Sequence, residues 1–141
     1  MNESIHPDGC LYFAANSLAR HLNNLAENAF KFTCITPAYA FVMLEILKDP
    51  GLGQNELARR VNVKASTMTR FVDKLIEKQL IKRTTEGRSV KIFPTKEGED
   101  FKPIIEQALT ILHDSYCDLL GKDLAMNMTD QLQDINHILE K

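Results

Sequence analysis

Residues 54 to 78 hold two short helical segments joined by a three-residue connection, and no other feature of this 141-residue chain constrains its fold more. Gln54 to about Val61 is the first segment and Ala65 to Lys78 the second, with Asn62-Val63-Lys64 between them. In the second, Met68, Phe71, Val72, Leu75 and Ile76 recur at helical spacing and form an inward stripe. Ser66, Thr67, Thr69, Arg70, Asp73, Lys74 and Glu77 are left on the outer face. Leu80 to Thr84 and Ser89 to Thr95 then read as two short strands around Thr85-Glu86-Gly87-Arg88, where Gly87 supplies the positive φ of a hairpin turn. A hairpin directly after a helix-turn-helix is a wing.

Long amphipathic segments flank this unit. From Leu11, apolar residues fall at Ala15, Leu18, Leu22, Leu25 and Ala29, opposite Asn16, Arg20, Asn23, Asn24 and Glu27. Thr36 is the expected N-cap and Pro37 the first residue of a helix to about Lys48, stopped by Asp49-Pro50-Gly51. Phe41, Val42, Met43, Leu44, Ile46 and Leu47 make that helix apolar nearly all round, which predicts a central position. Thr95 restarts a helix with the stripe Phe101, Ile104, Ile105, Ala108, Leu112 and Leu119, ending near Leu120 before Gly121. A last helix is predicted from about Asn127, carrying Leu132, Ile135, Ile138 and Leu139.

Charge is divided unevenly along the chain. The formal net charge is only −2, yet residues 54 to 92 hold ten Lys or Arg against four Asp or Glu, a net +6. The remainder holds seven against fifteen, a net −8. A basic helix-turn-helix and wing on an acidic remainder suits one face that meets phosphates, because each neutralised phosphate releases counterions. With 44% hydrophobic residues the chain can bury a core without disulfides. Cys10, Cys34 and Cys117 form an odd set with no CxxC pair, so they read as free thiols of a reducing compartment. No run approaches the ~20 apolar residues of a membrane span, and Met1 to Asp8 lacks a signal-peptide layout. The expectation is a cytoplasmic protein with no membrane partner.

No GxSxG, P-loop, GxGxxG or HExxH motif occurs, so no enzyme, no catalytic residue and no cofactor is predicted. His6, His21, His113 and His137 are scattered, and no metal site is predicted. A Cys10, His113 and Cys117 site would require distant helices to meet. Tyr12, Phe13, Phe30, Phe32, Tyr39 and Phe41 could line a crevice for a small lipophilic effector, or could simply be core.

The stretch Gly51-Leu52-Gly53-Gln54-Asn55-Glu56-Leu57-Ala58-Arg59-Arg60-Val61, then Ser66-Thr67-Met68-Thr69-Arg70-Phe71-Val72-Asp73-Lys74-Leu75, then Leu80-Ile81-Lys82-Arg83 and Thr95-Lys96-Glu97-Gly98, resembles the MarR family of bacterial transcriptional regulators. The resemblance implies a mainly α fold with a small β-hairpin. It implies a single MarR-type domain over 1–141, with a winged-helix DNA-binding region at about 36–95 between dimerisation helices at about 9–32 and 96–141. It also implies a homodimer that binds a pseudo-palindromic operator on double-stranded DNA, usually as a repressor, and is released by a small ligand or oxidant. Ser66, Thr67, Thr69 and Arg70 match the recognition-helix positions and Arg88 the wing arginine, while Lys74 is the expected phosphate contact. The loop Thr84 to Arg88 is shorter than the family's and lacks its Asp-rich and Arg-rich run. Cys10-Leu11-Tyr12-Phe13-Ala14-Ala15-Asn16-Ser17 resembles the branch that senses organic hydroperoxides. There Cys10 would be the oxidised thiol and Tyr39 its hydrogen-bond partner, with Tyr12 beside them, although the second tyrosine expected in the first helix is absent. The rival reading is a winged-helix protein-interaction module that does not touch DNA.

Overall fold

The computed structural model describes residues 6–140, so Met1 to Ile5 of the opening segment and Lys141 lie outside the described residues. A 3-10 turn at Pro7–Gly9 precedes α1 (Leu11–Phe30). A second 3-10 turn, Lys31–Thr33, leads to α2 (Pro37–Lys48), β1 (Leu52–Gly53), α3 (Gln54–Arg60) and α4 (Ala65–Glu77). The hairpin β2 (Ile81–Glu86) and β3 (Ser89–Pro94) follows, then α5 (Lys96–Leu120) and α6 (Lys122–Leu139).

Two compact units emerge. One comprises residues 30–108 and holds α2, α3, α4, the sheet and the first half of α5; the other comprises residues 1–29 and 109–141. The first unit carries nearly all of the core. Val42, Met43, Ile46, Leu57, Met68, Val72, Leu75, Ile92 and Ile105 are wholly buried in it, each worth ~1.5–3 kcal/mol of apolar burial.

Local chemistry explains the joints of that unit. Thr36 caps α2, its Oγ1 accepting from the Tyr39 N–H at 3.5 Å, and Pro37 opens the helix at N1. Asn62, in the connection between α3 and α4, adopts a left-handed backbone (φ 59°) that Asn tolerates better than most residues. At the end of α4, Gln79 is also left-handed (φ 65°), and the Leu80 N–H reaches back to the Leu75 carbonyl at 3.0 Å, closing the helix. Gly87, at φ 62°, and Arg88 form the two-residue turn between Glu86 and Ser89.

The sheet has three strands in the order β1-β3-β2, not two. Leu52 and Gly53 pair antiparallel with Ile92 and Lys91, fastening the start of α3 to the wing. Thr95 caps α5: its hydroxyl donates to the Gln79 carbonyl at 2.6 Å and accepts from the Gly98 N–H at 3.0 Å. A Cβ built on Gly98 would lie 2.1 Å from the Leu80 carbonyl oxygen, so only glycine allows α5 to approach Leu80 this closely.

Three further expectations need correction. α2 is not shielded all round, since Phe41 is 47% exposed while Ala40, Val42, Met43 and Ile46 are buried. Thr67 is half-buried rather than fully on the outer face of α4. The last helix begins at Lys122 rather than near Asn127, because Gly121, at φ 86°, is itself the whole boundary between α5 and α6.

In the unit of residues 1–29 and 109–141, only small residues, Ala26, Ala29 and Ala125, are buried among the described residues. Leu11, Tyr12, Phe13, Leu119, Leu124, Leu132, Ile135, Ile138 and Leu139 are exposed, Ile138 at 70% and Leu139 at 76%. An apolar surface on this scale marks an interaction face.

Candidate nucleic-acid interface

α4 presents its polar face because its apolar stripe is used up inside. Met68, Val72 and Leu75 are wholly buried, which turns Ser66, Thr69, Arg70, Asp73 and Lys74 outward. The N-cap is Lys64, whose side chain makes no cap hydrogen bond, so the first-turn N–H groups of a 13-residue helix lack a side-chain acceptor. Such a helix start favours phosphate.

An open cleft of about 680 Å³ lies beside α4, bounded by the start of α3 and by the wing. Gln54, Thr69, Arg83, Arg88 and Lys91 line it. Gln54 donates from Nε2 to Thr69 Oγ1 at 2.9 Å, and the Thr69 hydroxyl donates to the Ala65 carbonyl at 3.1 Å. That hydroxyl therefore ties α3 to α4. Arg83 pairs with Asp73 of α4 at 3.1 Å, and Lys91 lies 3.7 Å from Glu86 across the hairpin, offsetting the one acid at the wing tip. Lys74 is 3.7 Å from Glu77. Arg70 and Arg88 have no ionic partner among the described residues, and both are exposed.

Behind this face an ionic network joins α3 to α2. Arg60 reaches Asp49 at 2.9 Å and both Glu45 and Glu56 at 3.3 Å. Glu56 also accepts from both Arg59 Nε, at 2.9 Å, and Arg59 Nη2. Its carboxyl is held down to about 2, chiefly by the Arg59 hydrogen bond, against an opposing effect of desolvation and with Arg60 adding.

The structure brings Ser66, Thr67, Thr69, Arg70 and Lys74 together on α4 and puts Arg88 at the wing tip. Gln54, Asp73 and Arg83 belong to the same surface and were not singled out from sequence, because their roles depend on pairs 10 or 15 residues apart. Cys10 is half-buried and lies at the N-cap of α1, its carbonyl accepting from the Ala14 N–H at 2.9 Å. Tyr12 is 78% exposed on α1. Tyr39, in the other unit, packs its ring against Phe71 of α4 with centroids 4.8 Å apart.

The sequence profile of the MarR family matches residues 35–89, from the segment before α2 to the end of the wing turn. Over those residues the chain is similar to the MarR family of transcriptional regulators. A curated relative, the HTH-type transcriptional repressor MdtR of Bacillus subtilis (strain 168), is 37% identical over 68 residues, which are 46% of this chain and 44% of MdtR. The chain spans less than two thirds of the length of the curated relatives it matches. Among solved structures, the transcriptional repressor CouR bound to a 23-mer DNA duplex superposes with a TM-score of 0.85 at 20% identity, covering 96% of this chain and 99% of that one. The PcaV regulator of Streptomyces coelicolor, in complex with its natural ligand, gives 0.82 at 19% identity, over 96% and 98%. These two likenesses show that the chain shares their fold over nearly its whole length. Among the described residues, no single helix is long and apolar enough to cross a membrane.

Proposed function

We propose that the protein is a cytoplasmic, DNA-binding transcriptional repressor, 1–141 acting as one MarR-type domain, that grips a pseudo-palindromic operator as a homodimer. The observation that carries this reading is the single face on which the uncapped start of α4, Ser66, Arg70 and the unpaired wing-tip Arg88 converge. Set in a +6 stretch of an otherwise acidic chain, that face is polar and cationic where a protein-docking module would present apolar side chains. α4 enters the major groove. Arg70 offers a guanidinium fork to guanine or phosphate, Ser66 and Thr67 offer hydroxyls at the helix start, and Lys74 meets the backbone. Thr69 is held from within by Gln54 and keeps α3 in register with α4. Arg88, at the tip of the wing, suits the negative potential of a narrow minor groove.

The dimer forms through the apolar face of α1, the end of α5 and α6, where Leu119, Ile135, Ile138 and Leu139 stand exposed. That MdtR is a repressor, that CouR is solved on DNA and that PcaV is solved with a ligand support repression relieved by an effector. The effector is a small lipophilic molecule at Tyr12 or Tyr39, or an organic hydroperoxide that oxidises Cys10. Tyr39 conveys such a signal to α4 through its contact with Phe71.

A gel shift on the DNA upstream of the protein's own gene tests this reading, repeated with phenolic carboxylates and with an organic hydroperoxide. The expected outcome is a dimer-sized complex that one effector class dissolves. A folded protein that shifts none of that DNA beyond a random fragment would contradict the proposal.

A further inference from the structure

Near the end of α5, the thiol of Cys117, the imidazole of His113 and the carboxylate of Asp114 lie close together. Cys117 Sγ lies 3.6 Å from His113 Nε2 and 3.9 Å from Nδ1. His113 Nδ1 also lies 3.8 Å from Asp114 Oδ1, and Tyr116 packs edge-on against the imidazole with centroids 5.3 Å apart. An imidazole in hydrogen-bond reach of a thiol sulfur places a base beside the nucleophile. A cavity of about 210 Å³ opens beside the His113 imidazole, lined by His113, Tyr116, Ala125, Met126, Thr129 and Asp130. None of the motifs that mark the DNA face uses these residues.

We infer that Cys117 is a reactive thiol, with His113 as its base, that adds to small uncharged α,β-unsaturated carbonyl compounds. The aromatic and methionine lining of the cavity suits a flat, weakly polar molecule, and Asp130 disfavours an anionic one. His113 takes the thiol proton as Sγ attacks the β-carbon; a C–S bond forms and the π pair of the double bond shifts towards the carbonyl. The imidazolium then returns the proton to the α-carbon. No atom leaves and nothing is oxidised or reduced. Reactivity comes from proton transfer to His113 during attack, which makes the imidazole indispensable.

The contrast with the other thiols makes the inference testable. Cys34 is exposed and Cys10 half-buried, and neither has an imidazole beside it among the described residues. The full-length protein is treated with a substoichiometric amount of N-ethylmaleimide, and the labelled peptides are quantified by mass spectrometry. Cys117 is expected to react about tenfold faster than the more exposed Cys34, a modest share of what a positioned base supplies. His113→Gln should bring Cys117 down to the Cys34 rate while leaving Cys34 and Cys10 unchanged, their unchanged rates reporting that the variant is folded. Asp114→Asn, which leaves the imidazole in place, should slow Cys117 less. Labelling of Cys117 no faster than Cys34, or fast labelling that persists in His113→Gln, would overturn the inference. Because the readout is thiol chemistry, its failure leaves the DNA-binding reading untouched, and the reverse also holds.

Discussion

Asp73 on α4 and Arg83 on β2 are joined by an ion pair of 3.1 Å, so α4 and the hairpin are tied to each other through their own charged side chains. Both partners are largely exposed, at 62% and 36% of their side chains, and such pairs contribute ~0–1 kcal/mol to stability. Asp73→Asn should therefore leave the unfolding midpoint nearly unchanged. Its effect should appear on DNA, where a freed Arg83 strengthens binding to any phosphate while the wing loses its fixed angle. Competition binding should show a smaller ratio of operator to random-DNA affinity. An unchanged ratio would mean that the pair does not position the wing.

Arg70 and Lys74 lie one turn apart on the same face and are expected to behave differently. Arg70→Ala should cost ~1–3 kcal/mol on operator DNA and less on random DNA, as loss of a base contact does. Lys74→Ala should weaken both alike and flatten the salt dependence by about one phosphate. Equal losses on both DNAs for Arg70→Ala would remove its base-reading role.

Gly98 sets two opposed effects against each other. Alanine is favoured over glycine inside a helix by ~1 kcal/mol, yet its Cβ would stand 2.1 Å from the Leu80 carbonyl oxygen, a backbone atom that cannot swing aside. Overpacking of this kind costs ~1–3 kcal/mol or more. The clash should win, and Gly98→Ala should lower the denaturant midpoint. A raised midpoint would show that α5 shifts freely.

Glu56 makes the α2–α3 joint sensitive to acid. Its carboxyl is lowered from the ordinary 4.5 to about 2 by hydrogen bonds from Arg59 and Arg60. A depressed carboxylate contributes stability that is fully present above 4.5 and is lost as pH falls through about 2. The stability difference between wild type and Glu56→Gln should be constant above 4.5 and should shrink below it. A difference that grows on acidification would contradict the network.

The helix-turn-helix and wing were legible because each element announces itself locally. Met68, Val72 and Leu75 repeat at helical spacing, Pro37 and Gly87 punctuate, and α2 and α4 begin at the residues that those signals predict. β1 was not legible, since two residues show no periodicity and Leu52–Gly53 becomes a strand only by pairing with Ile92 and Lys91. The start of α6 was missed because Gly121 alone separates two helices, where a longer break was expected. Cys117 and His113, four residues apart, were separately visible in the sequence. Their meeting is not legible there, because a four-residue spacing does not fix the rotamers that bring Sγ to 3.6 Å from the imidazole. Gly98 was read as part of a family motif, and its physical reason, the approach of Leu80, lies 18 residues away.

The central claim is that two copies of α4 and the wing grip DNA together. Hydroxyl-radical footprinting of the purified protein on the fragment upstream of its own gene tests this most directly. Two protected half-sites, centred about one helical turn or ~10 bp apart and related by an approximate two-fold axis, are the predicted result. Arg70→Ala should erase both together. A folded protein that leaves the fragment uniformly cleaved, or protects one unsymmetrical site that Arg70→Ala does not change, would contradict the account.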